Sequence, residues 1–122
     1  MTASILTVDD SASMRQAIKV ALRSGGFAVE EAVNGAEGLT KAASGQFNLI
    51  ITDLNMPVMD GLTMIRELRA RGSAVGVPIL FLTTESDDGI KQQCRAAGAT
   101  GWVTKPFEPD QLVRIVKKVL GQ

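Results

Sequence analysis

Five short apolar runs, separated by stretches of helical periodicity, constrain this chain more than any other feature of it. The runs are residues 5–8, 28–32, 49–52, 79–82 and 102–104. The first, third and fourth are apolar almost throughout. A strand with one wet face alternates polar and apolar residues, so an unbroken apolar run marks a strand covered on both faces. The second run carries Glu30 and Glu31 and suits the edge of a sheet.

The intervening segments have the period of helices. Met14, Ala17, Ile18, Ala21 and Leu22 fall at helical spacing and read as one buried stripe. Ser13 and Gln16 have the spacing of a capping box, and Gly25-Gly26 stops that helix. Asn34 with Glu37 starts a second helix, and Leu62, Ile65 and Leu68 mark a third. Pro109 opens the fifth, which carries Leu112, Ile115, Val116 and Val119. The fourth, about residues 87–97, has only Ile90, Cys94 and Ala97 on its apolar side, and it is expected to be loosely held and mobile. Five βα units joined by right-handed crossovers form a parallel sheet with helices on both faces. The 122 residues suffice for one domain with its own core. In such a fold ligands bind beyond the carboxyl ends of the strands, near the switch point in strand order.

Thirteen basic residues balance thirteen acidic ones. No net positive field favours nucleic acid or an anionic membrane, so neither is expected as a partner. Cys94 is the only cysteine, which excludes an internal disulfide and fits a reducing compartment. Residues 1–10 lack the basic region of a signal peptide, and no stretch reaches membrane-spanning length, so a cytoplasmic protein is expected. The chain has no histidine. Ser-His-Asp and Cys-His catalysis, histidine zinc sites and an internal phosphohistidine are therefore excluded, and acid chemistry must run on carboxylates, hydroxyls and lysines.

The residues that follow the apolar runs decide the chemistry. Asp9 and Asp10 follow the first, Asp53 the third with Asn55 two places on, Thr83 and Thr84 the fourth, and Lys105-Pro106 the fifth. Each has an ordinary reading when taken singly: a helix cap, a turn or a solvated lysine. If those strands are neighbours, however, all of them converge on one pocket. Three carboxylates there repel one another by about 4 kcal/mol per pair at ~4 Å and an effective dielectric of ~20. Lys105 offers one compensating charge and a hard divalent cation two. Mg²⁺ suits the set because it takes one or two carboxylates, keeps several waters and often bridges to phosphate. The lack of histidine and of paired cysteine argues against zinc or copper. A carboxylate nucleophile, a cation, a lysine and a hydroxyl are the parts of phosphoryl transfer. Asp53 is the expected nucleophile because it ends the most apolar, central run.

The stretches Val8-Asp9-Asp10-Ser11, Thr52-Asp53-Leu54-Asn55-Met56-Pro57-Val58-Met59-Asp60-Gly61, Leu82-Thr83-Thr84-Glu85 and Val103-Thr104-Lys105-Pro106-Phe107 resemble the receiver domains of bacterial two-component response regulators. The resemblance runs from about residue 4 to residue 120, and its length is similar to that of the single-domain, chemotaxis CheY-like subgroup. It implies a flavodoxin-like doubly wound (βα)5 fold with strand order 2-1-3-4-5, and a single receiver domain over 1–122 with no output domain. It implies Asp53 as phosphoacceptor, Mg²⁺ bound by Asp10, Asp53 and the Asn55 backbone carbonyl, and Asp9 acting through a metal-bound water. Thr83 would bond the phosphoryl group and swing inward, and Lys105 would pair with it, its bond to Pro106 being cis. Asn55 and Glu85 would tune the phosphoryl lifetime, which is expected to be short. Trp102 stands where the family commonly has a tyrosine or phenylalanine switch, and its N–H will seek a partner if buried. The output surface would be the fourth helix, fifth strand and fifth helix, presenting Lys91, Arg95, Trp102, Lys117 and Lys118 to an acidic, partly apolar partner segment. Cys94 reads as a small buried apolar residue.

The resemblance further implies a monomeric signalling protein that catalyses only its own phosphorylation and dephosphorylation. Its phosphodonor would be a sensor histidine kinase. Its target would be a flagellar motor switch protein or another effector, and a phosphatase could also act on it. Alternatives are a phosphate sink and a receiver-like interaction module that is never phosphorylated. A phosphohydrolase with an aspartate nucleophile needs a second carboxylate two places on, where this chain has Asn55. A flavin binder needs a hydroxyl-rich phosphate loop after the first strand, where this chain has two aspartates. No glycine-rich loop with lysine supports nucleoside-triphosphate binding.

Overall fold

Strands form where the apolar runs lie, and their backbone groups are satisfied by one parallel sheet in the order β2-β1-β3-β4-β5. The computed structural model describes residues 2–122. The elements are β1 (Ser4–Val8), α1 (Ala12–Ser24), β2 (Ala28–Ala32), α2 (Gly35–Ser44), β3 (Leu49–Thr52), α3 (Gly61–Ala70), β4 (Ile79–Thr83), α4 (Asp88–Ala96), β5 (Gly101–Thr104) and α5 (Pro109–Val119). This is the doubly wound, flavodoxin-like architecture and strand order expected from the resemblance. β3 and β4 are buried along their whole length, and the more polar β2 lies at the edge.

Side chains alternate across the sheet and feed two cores. Leu6, Val8, Ile50, Ile79 and Phe81 pack with α2, α3 and α4, through Leu39, Met64, Ile65, Leu68 and Cys94. Ile5, Leu49, Ile51, Leu80 and Leu82 pack with α1 and α5, through Ile18, Leu22, Leu112 and Val116. Truncating any of these buried leucines or isoleucines to alanine typically costs about 2–5 kcal/mol. Cys94 is fully buried and is the only buried residue of α4; burial pushes its thiol pKa up, in keeping with a packing role. Among the described residues, no helix is long and apolar enough to cross a membrane.

Two local expectations are corrected. The first helix is capped by Ser11, not Ser13. The Ser11 hydroxyl accepts the Met14 N–H at 3.2 Å, and Ser13 is a helical residue whose Oγ lies 3.1 Å from that of Ser11. Asp9 decides this: its carboxylate takes the Ser11 N–H at 2.9 Å and closes a turn that starts the helix earlier. Ala17 is exposed rather than part of the buried stripe, because Ile18, Ala21 and Leu22 suffice to face the sheet. The Asn34 cap and Pro109 at the start of α5 stand as read.

Candidate functional site

Parallel register brings the strand ends into line. Val8 pairs with Thr52, Thr52 with Phe81, and Thr83 with Thr104. The next residues continue the ladder: the Asp53 N–H donates to the Val8 carbonyl at 2.9 Å, and the Lys105 N–H to the Thr83 carbonyl at 2.8 Å. Asp9 and Asp53 thus leave β1 and β3 at one level, and Thr83 and Lys105 lie one and two residues further along the adjacent β4 and β5, all at the same edge of the sheet. The topology, with β1, β3, β4 and β5 as successive neighbours, is what assembles them.

Asp9 is buried and Asp53 half-buried, whereas Asp10 and Asn55 are exposed at the rim. One carboxylate oxygen from each of Asp9, Asp10 and Asp53 lies within 4.8 Å of the others. At that spacing and an effective dielectric of ~20, a like-charge pair costs about 3–4 kcal/mol. Lys105 Nζ relieves part of this repulsion by donating to Asp9 Oδ2 at 2.8 Å and to Asp53 Oδ2 at 3.2 Å. Burial works against the charge on Lys105. The hydrogen bond and charge of Asp9, then those of Asp53, outweigh it and raise the ammonium above its ordinary 10.5. No such bond reaches Asp10. Three convergent carboxylates with one bridging ammonium form a hard-oxygen donor set that fits Mg²⁺ better than a soft transition metal.

The other Asp53 oxygen, Oδ1, accepts the Leu54 N–H at 2.8 Å, so Asp53 is held at both oxygens. Thr83 is buried, and its hydroxyl accepts the Glu85 N–H at 3.3 Å. Thr84, the other threonine expected here, is exposed. The Lys105-Pro106 bond is cis. The half-buried Trp102 satisfies its indole N–H on the Glu85 carbonyl at 3.0 Å. Its ring tilts against Phe81 with centroids 5.5 Å apart, and Lys91 Nζ lies 5.7 Å from its centroid. Arg95, Lys117 and Lys118 are exposed.

Three contributors to the site escape a sequence reading. The Thr52 hydroxyl donates to the Asp53 carbonyl at 2.8 Å. A Cβ at Gly61 would lie 2.2 Å from that same carbonyl, so only glycine lets α3 start so close to Asp53. Asp60-Gly61 is a turn signal in sequence, but the close approach is tertiary. Arg15 Nη1 donates to the Asp9 carbonyl at 2.7 Å, and nothing in the local sequence marks it.

Comparison with known proteins agrees with this geometry. The family model for the response regulator receiver domain matches residues 5–117. The chain is 34% identical over 116 residues to the transcriptional regulatory protein ResD of Bacillus subtilis. That match covers 95% of this chain and 47% of ResD, so the chain spans about half that relative's length. The structure of chemotaxis protein CheY4 of Vibrio cholerae is 43% identical, with a TM-score of 0.92 over 98% of this chain and 99% of that one. The receiver domain of the sensor histidine kinase PA1611 of Pseudomonas aeruginosa is 31% identical over the whole of both chains, with a TM-score of 0.90; that structure holds a magnesium ion in its active-site cleft. With its family model, its fold and its acidic strand ends in agreement, this chain belongs to the CheY-like response regulator receiver domains of two-component systems.

Proposed function

We propose that this receiver domain accepts a phosphoryl group on Asp53 in a Mg²⁺-dependent reaction, with a phosphohistidine of a sensor histidine kinase as donor. The observation that carries this reading is the Lys105 ammonium bridging Asp9 and Asp53, with the buried Thr83 ending β4, the strand between β3 and β5. An Asp53 carboxylate oxygen attacks phosphorus, a P–O bond forms, and the P–N bond to the donor imidazole breaks. The imidazole keeps the electron pair and takes a proton. Asp10, Asp53 and the Asn55 backbone carbonyl would hold Mg²⁺, with Asp9 acting through a water, and the bound ion would supply neutralisation of charge on the phosphoryl oxygens. Lys105 transfers its hydrogen bonds from the carboxylates to a phosphoryl oxygen, and Thr83 donates its hydroxyl to another. The domain turns over only its own phosphoryl group, and Asn55 and Glu85 at the rim tune its lifetime.

Thr83 also supplies the switch. Its hydroxyl now holds the Glu85 N–H, and Trp102 holds the Glu85 carbonyl, so one loop residue is gripped from both sides. Drawing Thr83 towards the phosphoryl group loosens that loop, shifts α4 and changes the α4–β5–α5 face. A partner that prefers one arrangement reads the signal and, by linkage, stabilises it. Exposed Arg95, Lys117 and Lys118, with Lys91 over Trp102, suit an acidic, partly apolar segment. The likeness to CheY4 supports a chemotaxis circuit, with a flagellar motor switch protein or another effector as target and a phosphatase to reset the signal.

Intact mass after incubation with acetyl phosphate tests the reading. A single phosphoryl adduct that needs both Mg²⁺ and Asp53, and is absent in Asp53→Asn, is expected. A folded protein that forms no adduct with Mg²⁺ present would overturn it in favour of a phosphorylation-independent interaction module.

A further inference from the structure

We propose that Arg15, which is not among the phosphoacceptor, metal-holding and switch residues, is a positioning residue for the Asp9–Asp10 carboxylate pair; this rests on the Mg²⁺-dependent reading above. Arg15 lies in the first turns of α1 with its side chain 15% exposed. Its guanidinium spans two elements: Nη1 donates to the Asp9 carbonyl at 2.7 Å, and Nε to Glu31 Oε1 on β2 at 3.3 Å. Glu31 is itself fixed, since its Oε2 takes Lys19 Nζ at 3.0 Å and its backbone carbonyl takes Lys41 Nζ. Arg15 is therefore a braced fork, and a rigid donor fork is what distinguishes arginine from lysine.

The carbonyl it holds belongs to the peptide that joins Asp9 to Asp10. That unit is planar, so fixing its oxygen fixes the plane from which the Asp10 side chain departs. The rest of the turn is secured around it. The Asp9 N–H donates to the Ala32 carbonyl at 3.1 Å, and the Asp9 carboxylate takes the Ser11 N–H and Lys105. Asp10 is exposed and Lys105 does not reach it, so the Asp9–Asp10 peptide is what sets its direction.

Charge and positioning predict opposite signs. A guanidinium beside an acidic pocket repels a divalent cation, so deleting its charge alone would tighten Mg²⁺ binding. Losing a positioning bond would weaken it, and partners that orient metal ligands typically contribute 10–100-fold in affinity.

The test is calorimetric titration of the whole chain with MgCl₂ in the absence of phosphodonor, alongside acetyl-phosphate labelling followed by intact mass. Arg15→Met keeps the aliphatic stem and helix propensity but removes donors and charge. It is expected to weaken Mg²⁺ binding about tenfold, with labelling of Asp53 recovered at raised Mg²⁺. Arg15→Lys keeps the charge, but one ammonium cannot span both acceptors, so it is also expected to bind Mg²⁺ more weakly than the native chain. Native or tighter affinity in Arg15→Met overturns the positioning role while leaving Asp53 phosphorylation intact. If Arg15→Met does not fold, Arg15→Lys decides in the same way: weakening supports the role and native affinity overturns it. A native chain that binds no Mg²⁺ and takes no phosphoryl group overturns both this role and the reading on which it rests.

Discussion

Val58 sits in the loop between Asp53 and α3 with φ +70, and the residue is 83% exposed. The left-handed region costs a residue with a Cβ about 1–2 kcal/mol, and a β-branched residue there is a genuine outlier. So exposed a side chain gains little packing to offset that cost. Asparagine visits this region readily, so Val58→Asn is expected to stabilise the fold by about 1 kcal/mol in urea denaturation. A loss of stability would mean that the loop gains from valine in a way its geometry does not reveal. Glu31 offers a second test at this scale. The hydrogen bond from Lys19 is the largest cause that shifts its carboxyl, and with the charges of Lys19 and Arg15 it outweighs burial, holding the pKa below its ordinary 4.5. A carboxyl whose folded pKa is depressed stabilises the fold above its unfolded pKa, and that stability is lost as pH falls through the folded value. Because Glu31 is partly exposed, the effect is modest. Glu31→Gln is expected to cost roughly 0.5–1 kcal/mol at pH 7, and the gap to the native chain should close below pH 4.5. A gap that persists at acid pH would locate the role of Glu31 in packing rather than charge.

At the scale of elements, the start of α1 is tied to the site. Ser11 caps the helix while its own N–H serves the Asp9 carboxylate, so one turn both begins α1 and holds an acidic side chain. Ser11→Ala is expected to cost about 1 kcal/mol in thermal or urea unfolding, whereas Ser13→Ala should be near neutral. A larger cost at Ser13 than at Ser11 would return the cap to Ser13. α4 differs in kind from its neighbours. Cys94 is its only buried residue, while α2 and α3 each bury several. Little apolar burial holds α4 in one place, which suits the switching role proposed for it.

For the whole molecule, the acidic cluster sets stability against function. Three carboxylates share a pocket that Lys105 only partly neutralises, and Asp10 has no share of that lysine. Asp10→Asn is expected to raise the stability of the metal-free protein, by up to ~1 kcal/mol for a rim charge. A ligand that binds only the folded state at a hundred times its Kd stabilises it by about 2.7 kcal/mol. Mg²⁺ should therefore raise the melting temperature of the native chain and leave that of Asp10→Asn nearly unmoved, by differential scanning calorimetry. A native chain indifferent to Mg²⁺, or a variant that responds equally, would contradict this account of the pocket.

The sequence by itself determined the order of elements, because unbroken apolar runs such as residues 49–52 and 79–82 can be satisfied only as strands covered on both faces. It also determined which residues leave the strand ends, since Asp9, Asp53, Thr83 and Lys105 are adjacent in sequence to those runs. What only the tertiary structure decided is how these residues meet. The 2-1-3-4-5 order brings four strand ends to one edge of the sheet, and Lys105 reaches back 96 positions to Asp9. The close approach at Gly61 and the Arg15 fork arise in the same way. Each depends on where a second element sits, and a periodicity of two or 3.6 residues carries no information about that.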